Sequence, residues 1–236
     1  VDKLISGATE LGIKLTAHQL EQFRSYYQEL IRWNERVNLT SITDYEEAQV
    51  KHFVDSLTVT LVLTQIPIGL KVVDIGSGAG LPGIPLKIAF NQISLVLIDT
   101  VAKKTAFLSH LVQHLRLEAV EVITARAEEI AHQPQCREQF HLVLSRAVAK
   151  LSTLTELTLP FCQLGGTVIA QKKGKIQAEI DQATKAISIL GGKLREVKKV
   201  NLTSLPDQRY LVIIDKISPT PHNYPRRPGL PARHPI

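Results

Sequence analysis

The feature that most constrains this chain is a short apolar run, Val72-Val73-Asp74-Ile75, that passes directly into Gly76-Ser77-Gly78-Ala79-Gly80-Leu81-Pro82-Gly83. Four glycines in eight residues remove the side chains that would keep a ligand from the backbone, and a strand, glycine turn and helix in succession is the unit of doubly wound sheets. The rest of the chain keeps that rhythm. Apolar runs predict strands at 71–75, 94–99, 120–124, 140–145, 166–171, 193–200 and 209–215, and amphipathic stretches predict helices at 81–89, 101–115, 151–159 and 175–190. Such alternation implies an α/β fold with a mostly parallel, seven-stranded sheet that binds ligands outside the carboxyl ends of its strands.

The flanks differ from this middle. Leu20, Phe23, Tyr27, Leu30 and Ile31 recur at helical spacing behind a Thr16/Gln19 capping box, predicting four to five turns that stop near Asn34. Thr43-Asp44-Tyr45-Glu46 repeats the capping signature before a helix leading to His52. Residues 1–65 are therefore expected to form a helical N-terminal cap, 66–215 the nucleotide-binding domain, and 216–236 a separate arm. That last segment holds Lys216, Arg226, Arg227, Arg233, six prolines and no acid, so it carries most of the net charge of +6. Its prolines exclude an interior strand and suggest an extended arm for an acidic partner, nucleic acid first, with Arg226 and Arg227 as phosphate contacts. The longest uncharged stretch, 56–70, is too short to span a membrane. No signal peptide is apparent, so the cytoplasm is expected.

Two ligands compete for the glycine turn. Gly78-x-Gly80-x-x-Gly83 matches a dinucleotide fingerprint, whereas Asp74-x-Gly76-x-Gly78-x-Gly80 matches the pattern of S-adenosylmethionine enzymes. Charge favours the second, because Asp74 would repel a pyrophosphate but suits a ligand with a sulfonium and an ammonium. Asp99, at the end of the next strand, is placed to take both hydroxyls of a ribose, and Thr100 follows it. Glu128 follows the third strand. Ser145 and Arg146 end the fourth, where Arg146 could donate to a cofactor carboxylate or to a base held beside the cofactor. His52, Asp55 and Ser56 fall on one helical turn, and Asn34 and Asn38 are four apart; helix capping explains these groups about as well as substrate contact does. Lys172 and Lys173, at a strand end, share a side with the cofactor and are candidates for RNA. His110 and His114 are also four apart, but they lack the glutamate of H-E-x-x-H, so no metal is expected. Cys136 and Cys162 form no C-x-x-C pair and read as thiols.

With these residues in place the sequence resembles the ribosomal RNA small subunit methyltransferase G family, also called glucose-inhibited division protein B. The resemblance rests on Asp74 to Pro85, on Trp33-Asn34-x-x-x-Asn38-Leu39-Thr40 and on Lys51-His52-Phe53-x-Asp55-Ser56-Leu57. It rests also on Ala125-Arg126-Ala127-Glu128, Ser145-Arg146-Ala147 and Tyr224-Pro-Arg-Arg-Pro-Gly229, and so covers nearly the whole chain. It implies a Rossmann-like S-adenosylmethionine-dependent fold and methylation of N7 of one guanine in a decoding-site loop of 16S rRNA. It puts cofactor contacts on Gly76, Leu81, Ala127, Glu128 and Arg146. The partner would be 16S rRNA, in the small subunit or an assembly intermediate, and the protein a monomer with no membrane or metal partner. Asn38, His52, Asp55, Ser145 and Arg146 are the expected catalytic group. Asp74, Gly78, Gly80, Asp99 and Thr100 complete the expected cofactor set. A non-catalytic RNA-binding module of the same fold, or a small-molecule methyltransferase, are the alternatives.

Overall fold

The computed structural model describes residues 1–63, 65–146, 149–205 and 207–236; Ala147, named above in the Ser145-Arg146-Ala147 motif, lies outside the described residues. Seven strands, β1 (Lys71–Ile75), β2 (Ser94–Asp99), β3 (Val120–Thr124), β4 (Phe140–Arg146), β5 (Cys162–Lys173), β6 (Gly192–Val200) and β7 (Arg209–Lys216), form one sheet in the order β3-β2-β1-β4-β5-β7-β6. Strands β3, β2, β1, β4 and β5 are parallel; β7 runs antiparallel between β5 and β6. The strand order reverses at β1, with β2 on one side and β4 on the other. That puts a crevice at the carboxyl end of β1, where open α/β sheets bind ligands.

The inner strands are buried on both faces, so alternate residues enter different cores. Val72, Leu142 and Leu144 join one core, and Val73, Ile75 and Val143 the other. The second core is covered by α7 (Ala127–Ile130), α8 (Leu151–Thr158) and α9 (Gln177–Ile189). The first is covered by α5 (Gly83–Ala89), α6 (Ala102–His114) and the N-terminal helices α1 (Asp2–Glu10) and α2 (Ala17–Val37). Leu4, Phe23, Tyr26 and Leu30 are fully or almost fully buried there, so the N-terminal helices share the core of the sheet.

Local chemistry explains where the elements begin and end. The Thr16 hydroxyl accepts from Gln19 N–H and the Gln19 side chain accepts from Thr16 N–H, as the sequence predicts. Helix α2 outruns its expected stop near Asn34, because the Asn34 side chain does not end it. Instead that side chain accepts from Leu39 and Thr40 N–H beyond the helix, while Asn38 closes it in the left-handed region at φ 51°. Asp44, not Thr43, caps α3 (Tyr45–Ala48). The chain then widens into one stretch of π-helix, Gln49–Val54, before α4 (Asp55–Leu57) and a tighter 3-10 run, Thr58–Val62. Strand β5 begins four residues before expectation. Gly165 and Gly166 do not break it but form an irregularity, in which the pairing passes from Phe140↔Cys162 to Leu142↔Thr167.

The tail departs most from expectation. It is no extended arm but lies along α7 and α8, and ends in a short helix, α10 (Leu230–Arg233). Arg137 donates to the carbonyls of Thr220, Pro221 and Tyr224, and His132 Nε2 donates to that of Pro225. Arg226 N–H and its guanidinium hold Glu156, which is completely buried. Lys216 is buried against Glu138 at 3.0 Å.

Gly80 shows how closely the glycine turn is packed from inside. It sits at φ +93°, and a Cβ there would meet Ile84 Cγ1 at 2.8 Å and Tyr26 Oη at 3.1 Å. Gly80→Ala should therefore cost about 2 to 4 kcal/mol, from left-handed strain and overpacking together. Urea denaturation measures it; a loss below ~1 kcal/mol would mean the turn yields freely.

Candidate active site

A cavity of about 600 Å³ opens at the carboxyl ends of β1 to β4. Gly76, Gly78 and Leu81 line it from the first turn, Asp99 and Thr100 from the end of β2, Ala127 and Glu128 from the end of β3, and Arg146 from the end of β4. The fold brings these expected residues together on one cavity wall. Leu39 and His52 reach in from the N-terminal region, and Gly229 and Ala232 from the tail.

Asp99 is the best-organised acceptor. Its Oδ2 accepts from Gly78 N–H at 2.9 Å and its Oδ1 from Val101 N–H at 2.9 Å, which leaves each oxygen a further lone pair toward the cavity. Gly78 has φ +56°, and a Cβ there would meet nothing closer than 3.9 Å, so the turn offers bare backbone to a ligand. Two carboxylates and an open glycine backbone fit a nucleoside that bears positive charge. A pyrophosphate fits poorly, because the first amide of α5, that of Gly83, already donates to Asp74 Oδ2 at 2.9 Å.

Three expected contacts prove internal. Asp74 is fully buried and absent from the cavity wall; burial, with Asp99 nearby, pushes its carboxyl up to about 7 despite the opposing Gly83 N–H and Arg146. Its Oδ2 fastens the turn to α5. Gly80 is turned toward Tyr26, Ile84 and Leu108. Ser145 is buried, and its hydroxyl donates to the Ile75 carbonyl at 3.0 Å, joining the ends of β4 and β1. Strand alternation could not distinguish these inward positions, because the strand ends curl into the turn.

Beyond Arg146 lies a second cavity of about 550 Å³, lined by Lys51, His52, Asp55, Gln171 and Arg209 among others. Arg146 and His52 border both. Arg146 Nη1 donates to the Lys51 carbonyl and to Asp55 Oδ2, each at 3.2 Å. Asp55 Oδ1 lies 3.3 Å from Arg209 Nε, so one buried carboxylate holds two guanidiniums. Gln171 donates to the Asp55 carbonyl at 2.6 Å and to Thr58 Oγ1 at 3.0 Å. Arg209 and Gln171 escape a reading from sequence. Arg209 begins an antiparallel strand opposite Lys173, so a first residue arrives at the end where the parallel strands finish.

His52 is held neutral. Burial and the nearby Arg146 push it down to about 4. Nδ1 lies 3.3 Å from the Lys51 carbonyl, which can only accept, so Nδ1 carries the proton and Nε2 accepts from Thr40 Oγ1 at 2.7 Å. Asn38 is exposed at the end of α2 and lies outside both cavities. Lys172 donates to Glu179 and to the Ala149 carbonyl, so its charge is largely spent inside the fold, while Lys173 and Arg227 are exposed. Arg226, expected on RNA, is committed to Glu156. His110 and His114 do find a carboxylate, from another helix. His110 Nε2 and Glu29 Oε2 are 2.6 Å apart, and His114 Nε2 and Ser25 Oγ 2.9 Å, which joins α6 to α2.

Solved structures share this architecture. An S-adenosylmethionine-dependent methyltransferase from Aquifex aeolicus superposes with a TM-score of 0.54 at 16% identity, over 74% of this chain and 94% of that one. TYW2 of M. jannaschii, solved with AdoMet, gives 0.50 at 19% identity, over 64% and 70%. The fold is thus one that a solved S-adenosylmethionine-dependent methyltransferase shares. Residues 19–211 match the family model for GidB, rRNA small subunit methyltransferase G. Proteins named ribosomal RNA small subunit methyltransferase G from Dehalococcoides mccartyi and Roseiflexus castenholzii are 51% and 47% identical over the full length of both chains. That from Bacillus cytotoxicus is 41% identical over 100% of this chain and 98% of its own. The chain belongs to this family of enzymes.

The state of His52 has a measurable consequence. Its folded value near 4 lies below the ordinary 6.5, so between those limits the unfolded chain binds more protons than the folded one. The stability linked to His52 is complete above pH 6.5 and is lost as pH falls toward 4. In a nuclear magnetic resonance titration the His52 imidazole should begin to protonate only well below pH 6, and His52→Asn should lessen acid destabilisation. A midpoint near 6.5 would contradict the buried, neutral ring.

Proposed function

We propose that this protein transfers a methyl group to N7 of a guanine in 16S rRNA, acting in the cytoplasm as a monomer on the small ribosomal subunit or an assembly intermediate. S-adenosylmethionine supplies the methyl as an electrophile on a sulfonium sulfur. Asp99 and Glu128 favour that cationic nucleoside in the first cavity, and the second cavity receives the base. Arg146, on the border, is the observation that carries the reading. Only its Nη1 is engaged among the described residues, so Nε and Nη2 remain as donors. Donation to guanine O6 would fix the ring while leaving the N7 lone pair free for in-line attack.

Among the described residues the histidine of the site and the two thiols are not free to act as base or nucleophile, which favours N7 over other acceptors. The lone pair forms the new N–C bond as the S–C bond breaks, and no proton leaves. A sugar hydroxyl would need a base and a pyrimidine C5 a cysteine nucleophile. Both His52 nitrogens are engaged, and Cys136 and Cys162 are buried away from both cavities. Burial raises both thiols, Cys162 to about 12, so neither is a ready thiolate. The product ring is a cation, and Asp55 faces the cavity where it forms. The target base must be unpaired or extruded for its N7 to meet the methyl group.

Incubation with labelled S-adenosylmethionine and unmethylated small subunits, followed by mapping of the label, tests the reading. Label on N7 of one guanine is expected. Label on a small molecule without RNA, or cofactor binding with no transfer, would favour the two alternatives. Arg146→Ala should lower kcat/KM about a hundredfold or more with the fold intact. The Cys136→Ser, Cys162→Ser double variant should stay within about fivefold, since no thiolate takes part in the transfer. Loss of activity from the cysteine changes alone, at unchanged thermal stability, would overturn the N7 mechanism.

A further inference from the structure

We propose that Glu29, His110 and His114, which meet between α2 and α6 behind the glycine turn, form a site for a divalent transition metal, Zn²⁺ by its donor set. Such an ion takes no part in methyl transfer. The H-E-x-x-H pattern fails on α6 because the acid comes from another helix.

His110 and His114 are one turn apart on α6, and their rings stack with centroids 5.7 Å apart. Trp33 of α2 packs against His110 at 5.2 Å, which limits how that ring can turn. Glu29, one turn before Trp33, is buried, whereas the other acids and the arginines of α2 are exposed. Its Oε2 lies 2.6 Å from His110 Nε2, and Arg32 Nη1 donates to its Oε1 at 3.3 Å. One oxygen is thus steadied by an outer partner while the other faces the imidazoles. One ligand atom from each of the three residues lies within 4.8 Å of the other two.

A hydrogen bond from His110 to Glu29 needs only one histidine. The second imidazole, stacked on the first and within reach of the same carboxylate, completes a set of two nitrogens and one oxygen. That set suits zinc with water in the fourth position, and it is too soft for Mg²⁺ or Ca²⁺. The ion takes the place of the hydrogen between His110 Nε2 and Glu29, and the imidazole keeps its proton on Nδ1. Bonds of ~2.0 to 2.1 Å set tetrahedral donors about 3.3 Å apart, so Glu29 and His110 part by less than ~1 Å and His114 closes in. His114 is exposed, which lets its side chain rotate and gives the ion an entry path.

The place of the site gives the ion a task. Helix α2 carries Tyr26, whose hydroxyl donates to the Ala79 carbonyl, and α6 carries Leu108, which packs against Gly80. An ion that bridges the two helices fastens the N-terminal cap to the sheet directly behind the glycine turn.

Calorimetry with ZnCl₂ on the full chain, dialysed first against a chelator, tests this. One ion per chain is expected, with a dissociation constant of about 1 μM. His114→Ala should weaken binding about thirtyfold or more while the circular dichroism of the metal-free protein is unchanged. His114→Cys, which supplies another ligand for zinc, should bind within about tenfold of the unmodified protein. Zinc at about a hundredfold excess over the dissociation constant should raise the melting temperature by about 5 °C or more, and should not do so in His114→Ala. Co²⁺ as a spectroscopic probe should show the strong visible bands of a tetrahedral ion, with an added thiolate charge-transfer band in His114→Cys. Zinc bound as tightly by His114→Ala, or cobalt spectra showing only the weak bands of the hydrated ion, would overturn the proposal.

Discussion

A carboxylate that no cation touches among the described residues holds the turn on which the site depends. Asp74 is completely buried at the end of β1, with one oxygen on Gly83 N–H and the other without a hydrogen-bond partner among the described residues. Such a group is costly to bury as an anion, and its raised pKa expresses that cost. What it secures is the junction of β1 and α5. A Cβ on Gly83 would come within 2.9 Å of Asp74 Oδ2, so the bond exists only because residue 83 has no side chain. From behind, Tyr26 of α2 donates its hydroxyl to the Ala79 carbonyl at 2.6 Å. The inward polar groups of the turn are thereby answered inside the protein, and its outward backbone is left for a ligand.

The second constraint is a shared charge. Asp55 lies among Arg146, Arg209 and the Lys51 carbonyl region, and it reaches them because the helical segment before it is wound as a π-helix. Wider winding turns His52 and Asp55 toward the end of the sheet together, with Thr40 supporting the histidine and Gln171 the backbone of Asp55. The border between cofactor and base thus depends on groups from the N-terminal helices, β4, β5 and β7. Removing one partner would leave a buried charge unanswered, so the cluster holds its geometry as a unit.

Strands and most helices were legible because their signal is local. An inner strand buried on both faces must be an apolar run, and glycines, prolines and acids punctuate those runs where ligands or turns occur. Gly76, Gly78, Asp99, Glu128 and Arg146 reach the cavity wall because strand ends converge in this topology whatever their exact register, whereas Leu81 and Ala127 came only from the resemblance to the family. The errors have a different origin. Asp74, Gly80 and Ser145 sit in the same motif as true wall residues but point inward, and only packing against Tyr26 and β1 decides their side. Arg209 and Gln171 become site residues through antiparallel pairing, which no local pattern announces.

The tail shows why composition misleads about charge. Four cations without an acid within 21 residues look like an arm for phosphates. Yet Lys216 is buried against Glu138 and Arg226 against Glu156, carboxylates that lie some 70 to 80 residues earlier in the sequence. Glu156 itself reads as the polar face of an amphipathic helix, although it is wholly buried. Arg227 and Arg233 alone among the four remain exposed. The charge that a segment offers a partner is what remains after long-range pairing, so a basic, proline-rich stretch can be a structural strap whose free charge is half its formal charge.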